Sequence, residues 1–343
     1  MPKYLKISLF LILILLFFYG GFFYANTLNA NKIKQVVKIA ESSGSNFILL
    51  NPILPYVNDI GLDYNELKSF KPQIEAYIKI KKSENPDLHV SFYFRDLCRG
   101  LWSGVNENEF FSPASLFKLP VMIALLKKAE TDPNALKTGI VYKAESFKNI
   151  EEESGFKKEE GKYYTTDDLL TQMICYSDNT ASLILLSFLG DSSILKVIFD
   201  LNMNVGSQYN NNTNFVSVKA YAGIFRVLYN SSYLNKQMSE KALGLLCQSK
   251  YNKGIRSAVP TQIVVAHKYG KRDIVGENGK INSVQLHHFG IVYHAKKPYI
   301  IGVMTRGGSL TLKEKIIYDI AEIAYNEVDK QCKINHDNQV FKE

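Results

Sequence analysis

A chain of 343 residues, 46% hydrophobic and 22% charged, has the composition of a globular protein and is neither a disordered tail nor a multi-span transporter. The length accommodates one two-lobed domain or two small ones, plus an appendage. Forty-one Lys+Arg against 33 Asp+Glu leave a formal charge of +8, which suits an anionic wall, a membrane surface or nucleic acid. No basic run with interleaved aromatics is present, so a nucleic-acid partner is set aside.

From Ile7 to Ala25 the chain reads ISLFLILILLFFYGGFFYA, without a charge and with Ser8 as its plainly polar residue. As a helix rising about 1.5 Å per residue it would be roughly 28 Å long, close to a hydrocarbon core of about 30 Å. A cleaved signal peptide competes, with Lys3 and Lys6 as its basic start and Leu28-Asn29-Ala30 as its cut site. The apolar run is longer than the roughly 7 to 15 residues of a cleaved signal, so an uncleaved signal-anchor over residues 1–25 is the favoured reading. Lys32, Lys34 and Lys38 offset the charges on the near side, so the charge bias assigns no orientation. Both readings place the remainder outside the cytoplasm, anchored in the cell envelope or, if the segment is cut, secreted. The four cysteines, Cys98, Cys175, Cys247 and Cys332, are too scattered for a disulfide framework or a CxxC zinc site, and mostly free, buried thiols are expected.

Residues 26–60 read as a tether, interrupted by Ser42-Ser43-Gly44-Ser45 and by Pro52 and Pro55. Asp63 and Glu66 form a capping box for a first helix to about Lys82, weakened at Pro72. LHVSFYFRD, from Leu88, alternates and is rich in aromatic and β-branched residues, a strand pattern with LWSGVNENEF as its hairpin partner. Between about 113 and 247 the apolar spacing is helical, and Thr165-Thr166 before Asp167-Asp168 marks one helix start. TQIVVAHKYG, VQLHHFGIVYHA and PYIIGVMTRG then read as three strands, followed by an amphipathic helix from about Thr311 to Val328 and a polar tail over 329–343. An antiparallel sheet built from both chain ends, with an all-α lobe inserted, is an α+β arrangement with a cleft between the lobes. The folded domain is expected to span 61–328.

Ser115 and Lys118 lie three apart, which on a helix puts hydroxyl and amine on one face. The same spacing recurs at Ser154/Lys157 and Ser193/Lys196, so context must separate them. Ser112 can cap the helix, Pro113 suits its first position, and Ser115 falls in the first turn, where a backbone N–H has no intrahelical partner. A nucleophile there brings an oxyanion donor and the positive end of the helix dipole. Ser177-Asp178-Asn179 lies between two helical runs; Ser177 could relay a proton and the Asn179 amide could hold a substrate carbonyl, although such a triplet is more often a capped turn. Lys268, Tyr269 and Gly270 end a strand, where a lysine can bind a carboxylate and a glycine lets the backbone approach a ligand. His287, His288 and His294 have no carboxylate at ligand spacing and read as ordinary strand histidines; no metal or cofactor is expected. Gly-x-Ser-x-Gly, His-Glu-x-x-His and phosphate-loop motifs are absent from the sequence.

Ser-x-x-Lys at a helix start, Ser-Asp-Asn and Lys-x-Gly on a strand, in that order, form the motif set of penicillin-recognising serine enzymes. From about Leu88 to Val328 the sequence resembles the class A β-lactamase-like serine hydrolases, through FSPASLFKLP, YSDNTAS, VVAHKYG and FGIVYHAKKPYIIGVMTRG. The resemblance implies a two-lobed β-lactamase/DD-peptidase-like fold. It implies Ser115 as acylated nucleophile, Lys118 as general base, Ser177 as proton relay and Lys268 as the cation holding Ser177 and a substrate carboxylate. Asn179, Tyr269 and Gly270 would contact substrate, and the N–H groups of Ser115 and Lys271 would form the oxyanion hole. A lysine base requires a pKa lowered from about 10.4, and burial beside a second cation pushes in that direction.

Two departures stand out. Class A enzymes carry a deacylating glutamate in the loop after Ser-Asp-Asn, whereas Leu201 to Ser239 contains neither Asp nor Glu; Asp200 and Glu240 are the flanking acids. Tyr269 replaces a small hydroxyl residue; its bulk could narrow the cleft, while its phenol could still donate a hydrogen bond. The expected function is an extracytoplasmic hydrolase acylated at Ser115 by β-lactams or peptidoglycan D-alanyl peptides and slow to deacylate. The alternatives are a true β-lactamase using another deacylating group, and a catalytically silent envelope-binding protein of the same fold.

Overall fold

The computed structural model describes residues 49–50, 70–147, 155, 157–203, 214–275, 281–295 and 297–340. The apolar segment from Ile7 to Ala25, most of the tether and the Asp63/Glu66 capping box lie outside the described residues. Among the described residues no single helix is long and apolar enough to cross a membrane. Residues 59–343 form one compact unit.

Helix α1 (Phe70–Glu84) leads into β1 (His89–Asp96) and β2 (Trp102–Val105). Three strands return near the other chain end, β7 (Val265–Val275), β8 (Ile281–Val292) and β9 (Tyr299–Arg306), before helix α8 (Leu310–Val340). They build one five-stranded antiparallel sheet in the order β2-β1-β9-β8-β7. The two halves of the chain therefore meet along the β1–β9 ladder, where Tyr93 faces Gly302. One face carries Phe92, Phe94, Leu286 and Ile301 against Phe70 and Ile74 of α1 and Ile316 and Ile320 of α8. Helix α6 (Val218–Tyr229) covers the other, with the Tyr221 and Phe289 rings 4.5 Å apart. Covering both faces explains why β1 is buried almost throughout rather than on alternate residues. Gly302 makes room for Phe289: a Cβ there would lie 2.2 Å from the ring.

The insert is mostly helical: α2 (Lys118–Ala129), α3 (Thr166–Cys175), α4 (Asn179–Leu189), α5 (Asp191–Asp200) and α7 (Lys236–Cys247) accompany α6. Helix α2 is its centre, buried from Lys118 to Leu126 and packed by α3, α4, α5 and α7. Thr165 caps α3 in a reciprocal box with Asp168, as its sequence position suggests.

Several boundaries differ from the sequence reading. The hairpin partner of β1 ends at Val105, and β3 (Phe110–Phe111) pairs instead with β6 (Val216–Ser217), since Asn106 turns the chain through a positive φ of 50°. A second small ladder, β4 (Gly139–Val141) with β5 (Tyr163–Thr165), interrupts the block expected to be wholly helical. The final helix continues to Val340, so the segment read as a polar tail from 329 is helical over most of its length.

Candidate active site

Ser115 is not where a capped α-helix would put it. A 3-10 turn, Ala114–Phe117, precedes α2, and no side chain caps it. Ser112 is occupied elsewhere: its N–H donates to Gln285 Oε1 (3.1 Å), its Oγ accepts from Arg272 (2.7 Å) and its carbonyl accepts from His287 Nε2 (2.8 Å). All three partners lie on β7 and β8, so the segment before the nucleophile is pinned to the sheet edge through backbone and side chain alike. Within the turn, the Leu116 carbonyl accepts from the buried Tyr221 hydroxyl at 2.9 Å. Gly270 of β7 closes the other side, where a Cβ would come within 2.9 Å of Leu116 Cγ and 3.0 Å of the Pro113 carbonyl.

Lys118, the first residue of α2, is 4% exposed and reaches three residues at once. Its Nζ donates to Ser115 Oγ (3.4 Å), Ser177 Oγ (3.2 Å) and Asn179 Oδ1 (2.7 Å), and to the Ser177 carbonyl. The fully buried Lys268 comes to the same hydroxyl from β7, donating to Ser177 Oγ at 2.8 Å and to the Tyr269 carbonyl at 2.9 Å. Ser115, Lys118, Ser177 and Lys268 thus form one continuous hydrogen-bonded path, with Ser177 bridging the two amines. Burial, and after it the neighbouring Lys118 charge, hold the Lys268 ammonium well below the ordinary lysine pKa.

The turns that carry both hydroxyls are held in uncommon backbone conformations. Ala114 has φ 50° and Ser177 φ 60°, left-handed values that non-glycine residues adopt at a cost of about 1–2 kcal/mol each. Around Ser177, the N–H groups of Tyr176 and Asp178 both donate to the Gln172 carbonyl. Asp178 caps α4 by accepting from the Ala181 N–H. The buried Lys158 ammonium contacts both Asp178 carboxylate oxygens at 2.7 Å.

The other serine–lysine pair that can be placed does not assemble. Ser193 donates to the Leu189 carbonyl while Lys196 pairs with Asp200; Ser154, of the third pair, lies outside the described residues. The β7 and β8 histidines hold backbone groups and each other. His287 Nδ1 accepts from the Thr305 N–H, which leaves its Nε2–H to hold Ser112. His288 Nδ1 accepts from the Ile255 N–H, so its Nε2–H donates to His267 Nδ1 at 3.0 Å. Burial pushes the His267 pKa down to about 3 and that of His287 to about 4. Among the described residues no group of three His, Cys, Asp or Glu could hold a metal. Among the described residues the four cysteines form no disulfide; Cys98 is exposed and, of the four, Cys175 alone is fully buried.

A family model described as the beta-lactamase enzyme family matches residues 69–328. The chain belongs to that family. It is a serine hydrolase of the β-lactamase type, with the two-lobed fold that its motifs imply. Solved structures agree on the fold. The structure of PBP-A superposes with TM-score 0.66 at 18% identity, covering 77% of this chain and 97% of that one. The β-lactamase from Sphaerobacter thermophilus gives 0.64 at 21%, covering 77% and 96%. The TLA-3 extended-spectrum β-lactamase gives 0.67 at 19%, covering 76% and 98%. A search of curated proteins matches nothing.

Seen against the β-lactamase family, Tyr269 is accommodated by a local stack. Its ring lies on Tyr251 (3.9 Å between centroids, 14° between planes), and the Lys268 ammonium sits 4.5 Å from its centroid. Tyr269 therefore packs beside the β7 lysine in a cation–π contact. Asn179 directs its carbonyl oxygen to Lys118, so its first task is to position the amine. Lys271 follows Gly270 on the edge strand, its side chain 3.4 Å from Asp273. Part of the loop read as lacking the deacylating glutamate, 204–213, lies outside the described residues.

Lys158, Tyr221, Arg272 and Gln285 were not found from sequence. Lys158 sits in a stretch crowded with Lys and Glu, and Tyr221 reads as an ordinary core aromatic one turn before Phe225.

Proposed function

We propose that this hydrolase is acylated at Ser115 by β-lactams and by D-alanyl peptides of peptidoglycan, and that the acyl-enzyme is slow to hydrolyse. The observation that carries the reading is the single amine, Lys118 Nζ, in contact with both Ser115 Oγ and Ser177 Oγ. In its neutral form Lys118 takes the Ser115 proton as Oγ bonds to the carbonyl carbon. The C–N bond then breaks, and the proton passes through Ser177 to the departing nitrogen; in a β-lactam that nitrogen stays attached to the opened ring. The Ser115 and Lys271 N–H groups stabilise the oxyanion, and removing one such donor typically costs about 100- to 1,000-fold in rate. A substrate carboxylate beside Lys268 favours its protonated form, opposing the effect of burial. Among the structures that resemble this chain is an acyl-enzyme complex of a PBP-A mutant with penicillin G.

Slow deacylation rests on composition: the chain has no carboxylate between Leu201 and Ser239 to activate a water. We place the domain outside the cytoplasm, anchored by the apolar segment from Ile7 to Ala25, which is long enough to span a bilayer. Labelling the protein with a fluorescent penicillin and chasing with unlabelled drug tests the kinetic claim. Label that persists over hours supports it. Steady turnover of a chromogenic cephalosporin, surviving Asp200→Asn and Glu240→Gln, would instead show efficient hydrolysis by another group.

A further inference from the structure

A cavity of about 460 Å³ opens by the β2 edge of the sheet, between β1–β2 and helix α6. Strand β2 is four strand spacings, about 19 Å, from β7, and the cavity's lining includes none of Ser115, Lys118, Ser177 and Lys268. Its volume falls within the roughly 300–1,000 Å³ usual for small-molecule sites.

Three cations line it: Arg95 from β1, and Lys219 and Arg226 from α6. Among the described residues its lining contains no carboxylate, and none of the three side chains has an ion pair. Lys219, Ala222, Gly223 and Arg226 follow the i, i+3, i+4, i+7 pattern of one helix face. The two small residues form a floor between two charges set about 10 Å apart along the axis. Gly223 leaves that floor open, since a Cβ added there meets nothing within 4 Å. The start of α6 adds the positive end of its dipole.

The neutral lining narrows the ligand class. Trp102 stacks on Tyr93 (5.7 Å, 17°) and carries the Lys219 ammonium 4.3 Å from its ring centroid. With the indole so engaged, the cavity does not offer the open aromatic platform a nucleobase requires. It offers instead the amides of Asn108 and Asn202 and the Ser217 hydroxyl, which accepts from the Ala220 N–H and keeps its own proton to donate. Hydrogen-bonding groups among cations over a small apolar floor suit a ring bearing hydroxyls and a negative charge. We propose that this cavity binds an anionic saccharide, its phosphate or carboxylate held by Lys219, Arg226 and Arg95 and its hydroxyls by Asn108, Asn202 and Ser217.

Calorimetric titration of the full chain with glucose 6-phosphate, glucuronate, glucose and inorganic phosphate, each to about 10 mM, tests this. Saturable binding of at least one acidic sugar is expected, with glucose and inorganic phosphate at least tenfold weaker. Tighter binding of glucose 6-phosphate assigns the site to phosphorylated sugars, and tighter binding of glucuronate to carboxylated ones. Lys219→Ala and Arg226→Ala should each weaken binding roughly 10- to 100-fold, the loss expected for a charged hydrogen bond. Gly223→Leu fills the cavity without straining the helix and should abolish binding, while penicillin labelling of Ser115 continues as before. Binding of neither acidic sugar, equal affinity for inorganic phosphate alone, or affinity that survives Gly223→Leu and Arg226→Ala would overturn the assignment.

Discussion

Replacing Lys158 by Met should damage the protein more than any feature of its sequence suggests. The Lys158–Asp178 pair is nearly closed to solvent, with the two side chains 2% and 0% exposed and both carboxylate oxygens at 2.7 Å. Removing one member of a buried pair leaves the other charge uncompensated and typically costs about 3–5 kcal/mol. For a domain of this size that corresponds to a fall in Tm of about 6–10 °C. The effect reaches the chemistry because Asp178 stands between Ser177 and Asn179, both bonded to Lys118. A misplacement near 1 Å can cost about 100-fold in rate, so penicillin labelling of Ser115 should slow by at least tenfold. Thermal melts and labelling kinetics read both effects. Lys158→Met combined with Asp178→Asn should be the milder lesion, because the charge is gone and Asn still caps α4. A single variant within about 1 kcal/mol of the parent, or a double variant no more stable than the single, would refute the reasoning.

Gly270→Ala pushes a Cβ to 3.0–3.1 Å from Pro113 and Leu116 backbone atoms, in the turn that carries Ser115. It should cut acylation by about 100-fold while the far-ultraviolet circular dichroism stays unchanged; unimpaired labelling would show that β7 does not set the position of that turn. Acid should destabilise the fold in a defined window. His287 is buried and neutral, its pKa lowered to about 4, against about 6.5 in the unfolded chain. Between those values the unfolded chain binds more protons, so stability is full above about pH 6.5 and is lost as pH falls towards 4, by about 3 kcal/mol from this group. His267, lowered to about 3, acts in the same direction and continues further into acid. Urea melts across this range measure the loss, and a flat profile would contradict neutral, buried imidazoles.

Much of the architecture was legible because its signals are local and redundant. The aromatic, β-branched run at β1 and the three late strands announced a sheet assembled from both chain ends, and the ladders confirm it. The site was legible for another reason: three short motifs each placed a nucleophile or an amine, and the fold brings Ser115, Lys118, Ser177 and Lys268 together. What supports these groups was not legible. Ser112 looked like an N-cap because its neighbours fit that pattern, yet Gln285, Arg272 and His287, more than 150 positions away, claim its polar groups. Lys158 could not be singled out among neighbouring lysines, since burial of a charge depends on tertiary contacts. The Tyr269 stack was equally hidden, since its partner Tyr251 lies in a different segment that only the fold brings alongside.

Acylation by a β-lactam would leave Ser115 Oγ in a covalent ester. Intact-mass measurement of the full chain after incubation with benzylpenicillin tests it most directly. A mass increase of one penicillin per chain is expected, absent in Ser115→Ala. No adduct at any concentration, or an adduct that Ser115→Ala retains, would contradict it.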